Sequence, residues 1–191
     1  FGWFGFNAGS ALAANATAAM AFGTTTIASA SAMITWIFFD RINGRKVSAL
    51  GASIGAVVGL VAITPAAGFV TIAESLFIGF ISAIVSNSMM HWKKLKKIDD
   101  TLDVFACHGV GGIMGMILTA IFAHGENSSL LHGGWSVFGH HMLALVLVSA
   151  FTFFGALLLY KITDFIIPLR VSEESEHLGL DLSQHDESIG I

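Results

Sequence analysis

The chain has 191 residues, of which 54% are hydrophobic and 12% charged, against roughly 25% charged in an ordinary soluble domain. That excludes a water-soluble globule, and 16 Phe with a mean hydropathy of +0.77 exclude a disordered chain. The formal charge of −4 matters less than where the charges sit.

A membrane span needs about 20 mostly apolar residues. Cutting the chain at charges and turn residues leaves an apolar stub at 1–12 and five spans at 18–39, 47–63, 68–90, 102–123 and 137–160. The expectation is an all-α polytopic membrane protein, with residues 1–163 in the membrane region and 164–191 as a tail. That tail is acidic (Glu173, Glu174, Glu176, Asp181, Asp186, Glu187) and is expected to be partly ordered at most. The 21 Gly, without a three-residue period and with 2 Pro, suit helices packed closely in a bilayer. Cys107, the single cysteine, forbids an intrachain disulfide and a multi-thiolate metal site. The chain opens on an apolar segment at Phe1, with neither a basic n-region nor a cleavage pattern, so it reads as a fragment lacking an N-terminal part.

Cytoplasmic loops carry the excess of Lys and Arg. Arg41, Arg45 and Lys46 follow the first full span, Lys93, Lys94, Lys96 and Lys97 the third, and Lys161 and Arg170 the fifth, which accounts for all nine basic residues. The alternate connections have none. Five alternating spans and a cytoplasmic C-terminus follow.

Ionisable groups at membrane depth are costly, so each needs a partner or a purpose. Glu74 lies near the outer end of its span, where snorkelling or a hydrogen bond accounts for it, and Asp103 near the inner start of the fourth. His108 stands about one and a half turns deeper, in a run crowded by Gly109, Gly111, Gly112 and Gly115. Two readings fit it: a histidine satisfied by a neighbouring helix, or an imidazole that handles a weak base or a proton. A metal site is disfavoured, because no second ligand stands three or four residues away. In the stub, four aromatics fall within six residues, which an interfacial belt explains. Helical spacing also puts Trp3 and Phe6 on one face with Ser10 continuing it, an arrangement suited to holding a cation by ring faces and a hydroxyl. His140 and His141 lie one turn into the last span, His124 and His132 fall in an outer, solvated loop, and Met89 and Met90 read as packing. No phosphate-cradling loop or nucleophile with its base is present, and the basic loops are too short for nucleic acid.

The run Trp-Phe-Gly-Phe-Asn-Ala-Gly-Ser ending at Ser10, Thr-Pro-Ala-Ala-Gly at 64–68, Asp-Asp-x-Leu-Asp-Val-Phe-x-x-His-Gly-Val-Gly-Gly at 99–112, and the tail Leu-Arg-Val-Ser-Glu-Glu-x-Glu with Gly-Leu-Asp at 179–181 together resemble the C-terminal half of an ammonium transporter of the Amt/Mep/Rh family. The resemblance implies half of an eleven-helix fold with two inverted five-helix repeats, a homotrimer with one pore per subunit, no cofactor, and a transport protein of nitrogen metabolism rather than an enzyme. It makes His108 one of two pore histidines, Phe6 one of two stacked phenylalanines closing the outer vestibule, Trp3 a pore-lining residue beneath it and Ser10 part of the ammonium entrance. Val104 then lines the apolar pore below His108, with Asp103 and Ser53 near its inner end. The partner histidine and the second phenylalanine belong to the missing N-terminal half.

The implied mechanism recruits NH4+ outside, strips its proton and passes NH3 through an apolar lumen. A bare cation costs many kcal/mol in a dry lumen, whereas ammonia hydrogen-bonded to imidazole costs little; K+ cannot shed its charge and is refused. In relatives the tail packs under the neighbouring subunit and a PII-type signalling protein blocks the cytoplasmic face. Here the tail departs from the family at His185-Asp-Glu-Ser-Ile-Gly, where His-Gly-Glu is usual. The alternative is an ammonium sensor signalling through the tail, which the short polar tail disfavours. A third, an intramembrane metalloenzyme, needs a second ligand from elsewhere. The isolated five-span piece is expected neither to conduct nor to trimerise normally.

Overall fold

The computed structural model describes residues 1–96, 98–125, 129–132 and 134–188. Lys97, one of the nine basic residues, and the side chain of His132 lie outside them. Every regular element among the described residues is helical: α1 (Gly2–Gly9), α2 (Ala16–Ile42), α3 (Ala49–Ile63), α4 (Ile72–Leu95), a π-helical turn (Phe105–Val110) running into α5 (Gly111–Phe122), a 3-10 turn (Leu130–His132), α6 (Trp135–Ile166), α7 (Glu173–Leu178) and α8 (Leu180–His185).

The helix starts are set by side chains that satisfy free amides. Asn15 accepts from Ala18 N at 3.0 Å and Ser48 from Gly51 N at 3.0 Å. Thr71 and Glu74 form a reciprocal capping box at the start of α4. Among the described residues four helical stretches, α2, α4, Phe105–Phe122 and α6, are long and apolar enough to cross a membrane. The expected full span at 47–63 is shorter in the structure. Helix α3 has 15 residues, about 22 Å at 1.5 Å per residue, because Ser48 caps it late and Pro65 offers no amide to extend it. The chain leaves it in tighter turns, with Thr64 N on Val61 O and Ala66 N on Ile63 O.

Between residues 1 and 145 the helices pack through their smallest residues. A Cβ on Gly59 or on Gly79 would collide with the same atom, the carbonyl oxygen of Ala28, so α3 and α4 both cross α2 at that residue. A Cβ on Gly115 would stand 2.5 Å from Ala62 O, where α5 crosses α3. Approach this close replaces the hydrophobic drive that lipid removes with dispersion contact over a wide area. Hydroxyls tie the same helices: Ser29 Oγ donates to Ala56 O (3.1 Å) in α3, and Ser31 Oγ to Leu76 O (2.8 Å) in α4.

One end of this bundle is polar. Arg45 donates to Asn87 Oδ1 at 2.8 Å, Asn87 donates to Asp40 Oδ1 at 3.0 Å, and Asp40 and Asn87 are both buried. Asp40, which the span boundaries left just outside the membrane, is thereby held inside the protein. At the opposite end the start of α2, the end of α3 and the start of α4 meet the end of α5, where His124 N donates to Phe69 O at 2.7 Å.

Helix α6 runs 32 residues with none buried, about 48 Å. The unit from Val146 onward contains its second half and two six-residue helices, α7 and α8. Ser172 caps α7 and Arg170 pairs with Glu176 at 3.1 Å.

Gly79→Ala should lower thermal stability in detergent by about 1–3 kcal/mol, because the obstacle is backbone. Gly111→Ala, whose Cβ meets Val61 at an ordinary 3.4 Å, should be neutral or stabilising. Equal losses in the two unfolding curves would show that helix approach is not the limiting contact.

Candidate functional site

The aromatic stub folds back on the bundle as α1, and its side chains find partners far along the chain. Trp3 Nε1 donates to Thr64 Oγ1 at 2.8 Å, and that hydroxyl donates to Leu60 O at 2.8 Å. Asn7, buried, donates to Thr25 Oγ1 at 3.0 Å. With its indole anchored, Trp3 meets Phe6 edge-on (centroids 6.3 Å, 75°) and His108 nearly face to face (6.3 Å, 24°). Trp3, Phe6 and His108 are thus brought together.

Two recesses flank this group. A cavity of about 280 Å³ is lined by Phe6, Asn7, Ser10, Thr17, Thr64 and Phe69 among others. Ser10 Oγ donates to Phe6 O at 2.6 Å, which commits its proton and leaves its lone pairs free to accept. Ring faces and accepting oxygens suit a small cation. The second recess, about 640 Å³, is lined by Phe1, Gly2, Trp3, Phe6, Val57 and Leu60; it is apolar and suits a neutral solute. Phe6 lines both, and Trp3 the second.

His108 sits in the π-helical turn, a form that in proteins is concentrated at functional sites. Ala106, Cys107 and Val110 of the turn face inward, and His108 is exposed. Among the described residues nothing hydrogen-bonds either of its ring nitrogens.

The turn is started by a knot of charge. Asp100 accepts Val104 N (2.9 Å) and Phe105 N (3.0 Å). Lys93, from α4, lies 2.8 Å from Asp100 Oδ2 and 2.7 Å from Asp103 Oδ1. Asp103 is buried with a left-handed φ of +53°. Val104 is exposed at the head of the turn, and Ser53 is exposed with its hydroxyl on Ala49 O at 3.0 Å. No side-chain hydrogen bond, ion pair or ring contact among the described residues joins Val104, Asp103 or Ser53 to the Trp3–His108 pair.

Sequence reasoning gave no role to Thr64 or Asn7, although both stand in quoted motifs, and it counted Lys93 as loop charge. It also left His124 to solvent, whereas His124 lies 2.9 Å from Glu74 Oε1.

The Lys93 ammonium holds the Asp100 carboxyl below its ordinary value, and the Phe105 and Val104 amides act in the same sense against burial. A carboxyl lowered in the folded state contributes stability fully above its unfolded value, about 3.9, and loses it as pH falls through the folded value. Asp100→Asn should therefore melt below wild type in detergent at pH 7, with the gap beginning to narrow as pH falls below about 4 and closing through the lowered folded value; a gap that does not narrow at all below about pH 4 would deny the carboxylate this part.

Residues 1–189 match the Ammonium Transporter Family. Ammonium transporter Amt1 of Archaeoglobus fulgidus is 43% identical over 190 residues, which is 98% of this chain and 48% of the relative. The crystal structure of Saccharomyces cerevisiae Mep2 superposes with a TM-score of 0.88 at 34% identity, covering 96% of this chain and 44% of that one. A solved structure described as a sensor Amt protein gives 0.85 at 31%, covering 96% and 46%. The chain spans about half the length of the curated relatives it matches.

Proposed function

Because the chain belongs to the ammonium transporter family, we propose that it forms part of an ammonium pathway across a membrane, with Trp3, Phe6, Ser10 and His108 on its wall. NH4+ is held in the recess between Phe6 and Ser10, where ring faces and hydroxyl lone pairs replace part of its hydration. It gives its proton to water at the outer mouth of that recess, and NH3 passes the Trp3 ring to His108 and takes up a proton from water again on the inner side. Transfer of the bare ion would cost many kcal/mol of desolvation, whereas ammonia needs one or two hydrogen bonds. Dependence on deprotonation also refuses K+.

The observation that carries this reading is the convergence of three motif residues: the Trp3 indole, anchored on Thr64, meets Phe6 edge-on and stacks on His108 in its π-helical turn.

In the same reading the partner histidine is supplied from outside residues 1–191, within an eleven-helix inverted-repeat fold that assembles as a homotrimer. Val104, Asp103 and Ser53 lie toward the inner exit, and the basic loops and residues 164–191 are cytoplasmic, where a PII-type protein is the candidate partner. The Lys/Arg count supports that sidedness. Likeness to a sensor Amt protein supports a second reading, ammonium sensing on the same fold.

Solid-supported-membrane currents from the full-length transporter, under ammonium and potassium jumps, test the first reading. Wild type should give an ammonium-specific current that His108→Ala abolishes or renders unselective. Folded wild type without any ammonium current would favour the sensor.

A further inference from the structure

Lys93 is a lysine at the end of an apolar helix, yet its side chain does not reach for water: the residue is 3% exposed. A buried ammonium is costly unless paired, and this one touches Asp100 Oδ2, Asp100 O and Asp103 Oδ1 at 2.7–2.8 Å. Both carboxylates belong to the turn that begins the π-helix. Asp100 caps it through the Val104 and Phe105 amides, and the main-chain carbonyl of Asp103, a residue in a left-handed conformation that a non-glycine residue adopts at a cost, accepts Cys107 N at 3.0 Å. Lys94 adds a weaker contact to Asp103 Oδ2 at 3.8 Å.

We infer that Lys93 is a positioning residue for His108: by clamping Asp100 and Asp103 it holds the wide turn open and so aims the imidazole at the Trp3 ring. The geometry explains why a clamp is needed. A π-turn accommodates an extra residue, and relaxing it to α would shift the register by one residue, turning the backbone ahead of α5 by about 100°. His108 lies within that turn, three residues before α5 begins. The inference rests on reading His108 as a pore residue.

The test uses the full-length transporter with Lys93→Met, Lys93→Arg and a triple variant, Lys93→Met with Asp100→Asn and Asp103→Asn. The triple leaves no unpaired buried charge and carries the test if Lys93→Met fails to fold. Electron cryomicroscopy reads the distance between the His108 and Trp3 rings, and ammonium and potassium jumps read transport. Lys93→Met and the triple should fold with His108 displaced from Trp3 and ammonium current reduced roughly ten- to a hundredfold, as expected for a misplaced reacting group. Lys93→Arg should keep the stacking and most of the current. Rings still stacked at 6.3 Å in Lys93→Met and the triple would overturn the inference, whatever the current. A displaced ring with unchanged ammonium current would instead overturn the pore reading of His108, leaving the clamp as a matter of architecture.

Discussion

The contact on which the bundle rests is backbone to backbone: the carbonyl of Ala28, in the middle of α2, faces Gly59 of α3 on one side and Gly79 of α4 on the other. In lipid, burying apolar surface brings helices together weakly, since lipid tails are as apolar as leucine; close packing and hydrogen bonds must supply the difference. A glycine on each partner lets both helices reach the same residue, and Ser29 and Ser31, one residue either side of Ala30, donate to each of them in turn. Once α3 and α4 are fixed against α2, the end of α3 delivers Thr64 to the Trp3 indole and the end of α4 delivers Lys93 to the Asp100 turn. The positions of Trp3 and His108 are in this sense outputs of the Ala28 crossing.

Much of this was legible as run length. The apolar stretches beginning near residues 18, 68, 102 and 137 correspond to α2, α4, the π-turn with α5, and α6, because a chain that must satisfy its backbone internally has little choice but helix. Where boundaries moved, a side chain moved them: Asn15 starts α2 two residues early, and Ser48 starts α3 two residues late. Burial of Asp40 was not legible, since a carboxylate at the end of an apolar run looks like a loop residue until Asn87 and Arg45, 47 and 5 residues away, are seen to satisfy it.

The candidate site divides in the same way. Helical spacing puts Trp3 and Phe6 on one face, but stacking of Trp3 on His108 joins residues 105 positions apart, which no local pattern encodes. The motif resemblance singled out both residues without giving their geometry. The π-turn was illegible for a different reason. Residues 105–110 have no composition that favours a wide turn; the turn depends on Asp100 and Asp103 being held by a lysine that sequence counting assigns to water.

In the sequence the nine basic residues follow alternate apolar stretches, the pattern the orientation rule looks for, and the rule treats them alike. Among the described residues Arg45 and Lys93 differ from Lys94, because each meets a buried carboxylate at 3.4 Å or less while Lys94, 3.8 Å from Asp103, remains more than half exposed. The boundary charges therefore serve two ends at once: the exposed ones are free to set sidedness, and the inward ones stiffen the helix ends from which the polar connections depart. A substitution at Lys94 should disturb charge balance, whereas one at Lys93 strands two acidic groups beneath the turn that carries His108, and the physical costs of the two differ accordingly.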